Sequence, residues 1–291
     1  MAQFIDKVDI NAVVDQFVTN GYAVIEDFLS SDECDLLRER SKHYIETLDI
    51  STHPRSVFST ENQKNDEYFM TSQDKVRCFF EEGVFNEDGT LAKDKLLAVN
   101  KIGHGLHHVD DVFKKVTFHP LIQKVIKGLD FFEPVVVQSM VIFKQAHIGG
   151  VVLPHQDGTF LINDPPKVVG VWIALEDATV DNACLWFIPG SQHNPITRKM
   201  IRNPTNDGNI FTAPPDVYDS TKFVAAPVKK GSAIVIHGQV VHKSEKNVSD
   251  QSRFIYTFHI AEKKETIWSD ENWLQETDSY KFPYLYNVTR N

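Results

Sequence analysis

The segment Val151-Val152-Leu153-Pro154-His155-Gln156-Asp157-Gly158 decides how the rest of this 291-residue chain is read. It is extended in character, and successive side chains on extended backbone alternate faces. His155 and Asp157 therefore point the same way and can reach one ion. An imidazole and a carboxylate are two parts of a 2-His-1-carboxylate set, which leaves positions open on a non-heme Fe(II). His-X-Asp tripeptides also arise by chance, so this reading depends on a second imidazole elsewhere. His237, His242 and His259 are the downstream candidates.

Around this segment the chain is rich in strand-forming runs. Residues Val135–Lys144, Val168–Leu175, Cys184–Ile188, Phe223–Val228, Ser232–Ile236 and Arg253–Ile260 are β-branched and aromatic. Turns such as Pro189-Gly190-Ser191 and Lys230-Gly231 punctuate them, a texture of sandwiches and barrels rather than of alternating strands and helices. Jelly rolls and cupins of this kind hold a ligand inside.

The N-terminal part differs. Val13, Val14, Phe17 and Val18 have helical spacing closed by Asn20-Gly21, and Tyr22–Ile25 reads as a strand. Ser30-Ser31-Asp32-Glu33 reads as a capping box opening a helix to about Leu48, and a further helix is expected around Pro120–Gly128. Residues 51–100 are polar and loop-like. Their aromatic pairs Tyr68-Phe69 and Phe79-Phe80 either pack that loop onto the body or form a lid. With no linker composition between the parts, one domain over 1–291 is expected: a helical, loop-rich part over 1–130, a β core over 131–262 and a C-terminal extension over 263–291. The fold class is mainly β with flanking helices.

At 42% hydrophobic and 24% charged, the chain has the apolar content for a large core. Its net charge of −10 disfavours nucleic acid and anionic membrane as partners. Cys34, Cys78 and Cys184 form no metal or disulfide pattern, which suits a reducing compartment. Met1–Lys7 lacks the look of a signal peptide, no apolar run approaches the roughly 20 residues of a membrane span, and Val288-Thr289-Arg290-Asn291 is not a peroxisomal address. A cytoplasmic protein is expected.

Of the three histidines, His242 lies where Val240-Val241-His242-Lys243-Ser244 restarts an extended segment, and Arg253 follows 11 residues later at the head of a strand. The ordered set His155-X-Asp157, His242 and Arg253 resembles the Fe(II)/2-oxoglutarate oxygenases. More narrowly, the chain resembles the phytanoyl-CoA dioxygenase family from about residue 10 to 262. Gly21-Tyr22-Ala23-Val24-Ile25-Glu26-Asp27-Phe28-Leu29-Ser30, Pro154-His155-Gln156-Asp157, Cys184-Leu185-Trp186-Phe187-Ile188-Pro189-Gly190-Ser191 and Val241-His242-Lys243-Ser244 carry that resemblance.

The resemblance implies a double-stranded β-helix, jelly-roll and cupin-like, with Fe(II) on His155, Asp157 and His242. It also implies that 2-oxoglutarate chelates the iron through its keto acid end and pairs its far carboxylate with Arg253. A guanidinium offers a carboxylate a rigid two-pronged donor face, which supports that role independently. Lys101, Met140, Trp172 and Ser244 are assigned by the same resemblance to the co-substrate pocket. For Met140 and Trp172 the competing reading is core packing; for Lys101 and Ser244 it is surface exposure or a turn hydrogen bond. Two positions depart from the family pattern at the pocket edge: Asn182-Ala183 stands where Asn-Gly is frequent, and Gln192 moves His193 one place late. Related halogenases replace the carboxylate ligand with a small residue, so Asp157 disfavours halogenation.

The expected activity is a dioxygenase that converts 2-oxoglutarate and O2 to succinate and CO2 while hydroxylating a small-molecule substrate, with an acyl-CoA among the candidates. Two other readings compete: a non-catalytic module sensing metal and 2-oxoglutarate, and a cupin-type metal enzyme that does not use 2-oxoglutarate. The basic run Thr197–Arg202 suits a phosphate or CoA group, although such runs are commonly solvated faces. His104, His107 and His108 lack ligand companions, and Ser191 near His193 lacks a nucleophile elbow. Residues that select the substrate are expected in 51–100 and 191–222.

Overall fold

Two antiparallel sheets face each other. In the computed structural model, which describes residues 8–57, 67–205 and 208–286, the strands in chain order are β1 (Tyr22–Ile25), β2 (Val76–Phe80), β3 (Val99–His104), β4 (Pro134–Lys144), β5 (Val152–His155), β6 (Asn163–Asp164), β7 (Val168–Ala174), β8 (Leu185–Phe187), β9 (Met200–Arg202), β10 (Asn209–Phe211), β11 (Val224–Ala226), β12 (Ala233–His237), β13 (His242–Ser244), β14 (Arg253–Glu262) and β15 (Ile267–Trp268). Seven form one sheet in the order β1-β12-β7-β14-β4-β3-β2, and four form the other in the order β11-β8-β13-β5. This is the double-stranded β-helix of the cupin-like fold. The sequence readings on Met1–Lys7, on Val288–Asn291 and on parts of 51–100 and 191–222 fall outside the described residues.

The period of two divides the large sheet into two apolar faces. Val169, Val171 and Ile173 of β7, with Tyr256 and Phe258 of β14, pack against Phe17, Leu37, Phe113 and Leu121 of the helical layer. Trp172, Ala174 and Ile255 turn the other way, towards Leu185 and Phe187 of the small sheet. Both faces are thus covered, which is why Val168–Ala174 is buried along its whole length and reads as an unbroken apolar run.

The helices follow their local signals. Helix Ile10–Asn20 ends at Gly21, whose φ of 82° is left-handed and whose N–H donates to Phe17 O. A Cβ on Gly21 would lie 2.5 Å from Gln192 Oε1, so glycine is required twice over. Helix Ser31–Glu46 opens with the complete capping box of Ser30 and Glu33. Pro120–Gly128 is helical, with Leu121, Ile122, Val125 and Ile126 buried.

Residues 51–100 differ from the expectation of a loop. They supply β2 and the start of β3, an antiparallel pair on the edge of the large sheet. Phe79 and Phe80 are buried within β2, and Phe69 packs on Phe79 and Trp273. The aromatic pairs are packing anchors rather than a lid. Strand β2 is short, and Lys101 and Gly103 interrupt the apolar texture of β3, which hides both from a pattern search. Beyond 262 the chain returns to the body: Trp273, Leu274, Tyr280 and Phe282 cluster with Phe69, Phe79 and Val137. Val136 N–H donates to Pro283 O, and Leu285 N–H donates to Pro134 O, both at 2.9 Å. Among the described residues no helix is long and apolar enough to cross a membrane.

His107 is fully buried, with Nδ1 2.8 Å from Ser139 Oγ and Nε2 3.1 Å from Tyr280 Oη. Burial pushes its pKa from 6.5 down to about 3. The unfolded chain therefore takes up a proton below pH 6.5 that the folded chain refuses until about 3, and stability falls as pH drops across that window. From this residue alone the loss at pH 5 is about 2 kcal/mol, since one pKa unit is worth about 1.4 kcal/mol. Denaturant midpoints measured from pH 7.5 to 5 should fall less steeply in His107→Gln than in the wild type, and equal slopes would contradict the assignment.

Candidate metal centre

The site begins with strand register. In the β13/β5 pair, His242 is the direct partner of His155, and their ring centroids are 4.3 Å apart. His155 ends β5, Gln156 stays extended, and Asp157 opens a 3-10 turn over Asp157–Thr159. The backbone thus keeps the parity that points His155 and Asp157 the same way while stopping the strand. Gly158 N–H donates to Gly238 O at 2.8 Å and pins the turn.

Asp157 Oδ1 is 3.7 Å from His155 Nε2 and 3.8 Å from His242 Nε2. One donor atom from each of the three residues lies within 4.8 Å of the others, the only such group among the described residues. The far side of each ring fixes its tautomer. His155 Nδ1 is 2.8 Å from Leu153 O, and His242 Nδ1 is 3.1 Å from Val240 O. A carbonyl only accepts, so each Nδ1 carries the proton and each Nε2 lone pair faces Asp157. Metal-binding histidines need this arrangement.

Protonation agrees with it. Burial, reinforced by His155, pushes His242 down to about 4, so its imidazole is neutral at neutral pH. For Asp157, burial opposes ionisation, but His259, His242 and His155 outweigh it and hold the carboxyl well below the usual range. Two imidazoles with their Nε2 atoms turned inward and one carboxylate, with no thiol, match the donor set of a non-heme Fe(II).

His237 is not part of the group. Its ring lies 5.4 Å from Phe17, and its Nδ1 accepts from Gln239 N–H. His259 does reach the site, in a role that motif reading missed: its Nε2 is 3.3 Å from the other oxygen of Asp157, Oδ2. Counting by twos from Arg253 along β14 places His259 on the same face as that arginine, and this parity was the available signal.

The pocket residues gather on the inner face of the large sheet. Gly103, Met140, Thr257, Trp172 and Ile234 are consecutive cross-strand partners. Met140 Cγ and Lys101 Cδ lie 3.2 and 4.0 Å from where a Cβ on Gly103 would sit, so the two side chains meet there. Lys101 is buried rather than surface-exposed, and desolvation lowers it to about 7. Arg253 is 2% exposed, with its guanidinium 5.5 Å from the Trp172 ring centre. Burial lowers its pKa only to about 10, so it stays cationic, yet its Nε has no hydrogen-bond partner and no carboxylate of the described residues pairs with it. Ser244 is buried on β13, where its hydroxyl donates to Ala183 O at 3.0 Å.

The remaining candidates have structural partners. Arg198 Nε donates to Ala213 O and its guanidinium lies 3.5 Å over Phe211, while Arg202 donates to Asn272 O and Trp273 O. His104 bonds Ser72 Oγ, and Ser191 Oγ bridges Ile188 O and Val241 N–H. At the two departures from the family pattern, Ala183 adopts a φ of 79°, which glycine takes without strain, and Gln192 donates to Val18 O. From His155, rings run outward through Phe160 at 5.6 Å to Phe211 at a further 6.1 Å.

The family profile Phytanoyl-CoA dioxygenase (PhyH) matches residues 17–255. The chain belongs to the phytanoyl-CoA dioxygenase family. It is 50% identical over 282 residues to phytanoyl-CoA dioxygenase domain-containing protein 1 of Danio rerio, covering 94% of this chain and 97% of that one. A Caenorhabditis elegans homolog of the same name is 46% identical over 281 residues, covering 94% and 98%. Among solved structures, the epimerase SnoN in complex with Fe3+, alpha ketoglutarate and nogalamycin RO shares the fold at a TM-score of 0.62 and 14% identity, over 97% of this chain and 93% of that one. Membership makes this protein an enzyme of the dioxygenase type, as the ordered motifs imply.

Adding Mn(II) to the purified protein should raise its melting temperature, and Asp157→Ala and His242→Ala should each abolish that rise. An undiminished rise in both variants would place the metal elsewhere.

Proposed function

We propose that this protein is an Fe(II)- and 2-oxoglutarate-dependent oxygenase that turns 2-oxoglutarate and O2 into succinate and CO2 and hydroxylates a small-molecule substrate. The observation that carries the reading is Arg253, a buried guanidinium with no salt bridge among the described residues and an unpartnered Nε, on the wall that leads to His155, Asp157 and His242. A buried charge left unpaired is strongly unfavourable, so the residue is explained by an anion that arrives from outside. A carboxylate matches its planar donors.

Iron held by His155, Asp157 and His242 would supply O2 activation coupled to oxidative decarboxylation of the keto acid. The chain does the rest. Arg253 binds and orients the far carboxylate, and Trp172 packs beside the guanidinium. Lys101 adds a buried amine that an arriving anion would favour in its protonated form, while Met140, Trp172 and Ile255 keep water away. Ser244 anchors the strand that carries His242 through its bond to Ala183 O. The neutral imidazole of His242 offers its lone pair without releasing a proton near the reacting atoms.

The substrate reading rests on Phe160 beside His155 and Phe211 next to Phe160, rings that suit an apolar or π-bearing molecule. An acyl-CoA is one such molecule, but Arg198 and Arg202 are engaged within the chain, which leaves little of the basic run for its phosphates. A cytoplasmic setting without nucleic-acid or membrane partners accords with the net charge of −10 and the three free cysteines.

Purified protein with Fe(II) should release succinate from 2-oxoglutarate, and Arg253→Ala should raise the 2-oxoglutarate concentration needed at least about tenfold, the loss expected when a charge-assisted pair worth roughly 1.5–3 kcal/mol is removed. Unchanged dependence in Arg253→Ala would instead favour a metal enzyme independent of 2-oxoglutarate. Cell extracts incubated with wild-type protein should contain a product heavier by one oxygen that is missing with Asp157→Ala. No succinate and no such product would favour a sensing module.

A further inference from the structure

Asp157 is gripped from behind. Its Oδ1 faces His155 and His242, whereas Oδ2 is 3.3 Å from His259 Nε2, and His259 Nδ1 is in turn 3.1 Å from Gln138 Nε2. The three sheet residues concerned lie in one cross-strand row: Gln138 on β4 partners His259 on β14, which partners Gly170 on β7. Each contributes a distinct part. Gln138 is buried and can present its amide N–H to the ring. His259 sits at a register shift in the β14/β4 ladder, a bulge of the kind that re-aims a side chain beside a site. Gly170 leaves room for the contact, since a Cβ there would lie 3.1 Å from Oδ2 and 3.5 Å from the imidazole.

Proton placement follows from the acceptors. A bare Nε2 lone pair facing a carboxylate at this distance is repulsive, so Nε2 carries the hydrogen and donates it to Oδ2. Nδ1 is then the acceptor, which is what the amide nitrogen of Gln138 satisfies. Both nitrogens of the buried His259 ring thereby have partners, where an unpaired one would be costly.

We infer that His259 is the positioning residue of the metal centre: through Nε2–H it holds Oδ2 of Asp157 and presents Oδ1 alone to the ion, with Gln138 fixing its tautomer. This rests on reading His155, Asp157 and His242 as the metal site. A carboxylate free to turn can offer both oxygens and use up a coordination position that a chelating co-substrate requires. Held from behind, Asp157 stays one-pronged. Outer partners of this sort are worth 10–100-fold in metal affinity.

The test uses the full chain with Mn(II) alone as probe, the free ion being counted by its EPR signal. His259→Leu should weaken Mn(II) binding roughly 10- to 100-fold. His259→Gln, whose amide can donate to Oδ2, should recover most of the loss. Gln138→Leu, which leaves the ring in place but unfixes its tautomer, should fall between wild type and His259→Leu. If His259→Leu does not fold, as judged by its metal-free melting curve, Gln138→Leu and His259→Gln decide the question. Wild-type affinity in His259→Leu, or in Gln138→Leu where the former cannot be measured, would overturn the positioning role. Failure of His259→Gln to improve on His259→Leu would reduce His259 to a packing residue. Absence of Mn(II) binding by the wild type would overturn the metal-site reading itself, and this inference with it.

Discussion

Everything at the site depends on one register, the antiparallel pairing of β13 with β5 that sets His242 opposite His155. The two strands are short, and a slip of one residue would turn every side chain to the other face. Several features prevent that slip. Val241 N–H and Ser191 Oγ hold the entry to β13, Phe187 partners His242 from the opposite side, and Gly158 N–H ties the exit of β5 to Gly238 O. Lys144 secures the other end: its buried Nζ reaches the carbonyls of Gly150, Ser244 and Glu245 at 2.6, 3.3 and 2.5 Å, joining the loop before β5 to the end of β13.

The interior charges have a direction. Arg253 puts a cationic group on the inner wall of the large sheet, with the desolvated amine of Lys101 on the same wall, while Asp157 is anionic at the metal position. Each removal of an ion from water costs several kcal/mol before any partner is counted. Asp157 has the imidazole of His259 behind it, whereas Arg253 has the face of Trp172 and the more distant carboxylate of Glu176, with no salt bridge among the described residues. Such an imbalance makes sense in a chamber that receives a small dianion and an ion together, each offsetting the desolvation of the groups it meets.

Local signals made much of this legible in the sequence. The capping box at Ser30, the left-handed Gly21 and the β-branched runs of β4, β7, β12 and β14 were readable because each is decided by neighbours in the chain. His155 and Asp157 were readable because parity on extended backbone is a local property. Strands β2 and β3 were not, since their place in the sheet comes from pairing with β4 rather than from their own composition. His259 escaped for the same reason, because its partners Gln138 and Asp157 are brought to it only by the closed fold. The basic run around Arg198 shows the same limit: sequence offered a solvated face or a phosphate site, and the fold instead turns Arg198 and Arg202 onto backbone carbonyls of the same chain.

The place of β14 in the large sheet bears on how this protein is made. It lies between β4 and β7, and among the described residues β1 pairs with β12 alone, so several neighbours in space are far apart along the chain. Sheets built from distant pairings close slowly, and their unpaired strands are sticky while they wait. On the ribosome, β1 and β7 therefore emerge long before β12 and β14, and although β2, β3 and β4 can pair as they appear, the two halves of the sheet cannot join until β14 has been translated through Glu262. The helical layer that emerges ahead of β4 and β7 is well placed to shield them in the interval, so its apolar face serves the nascent chain before it serves the enzyme.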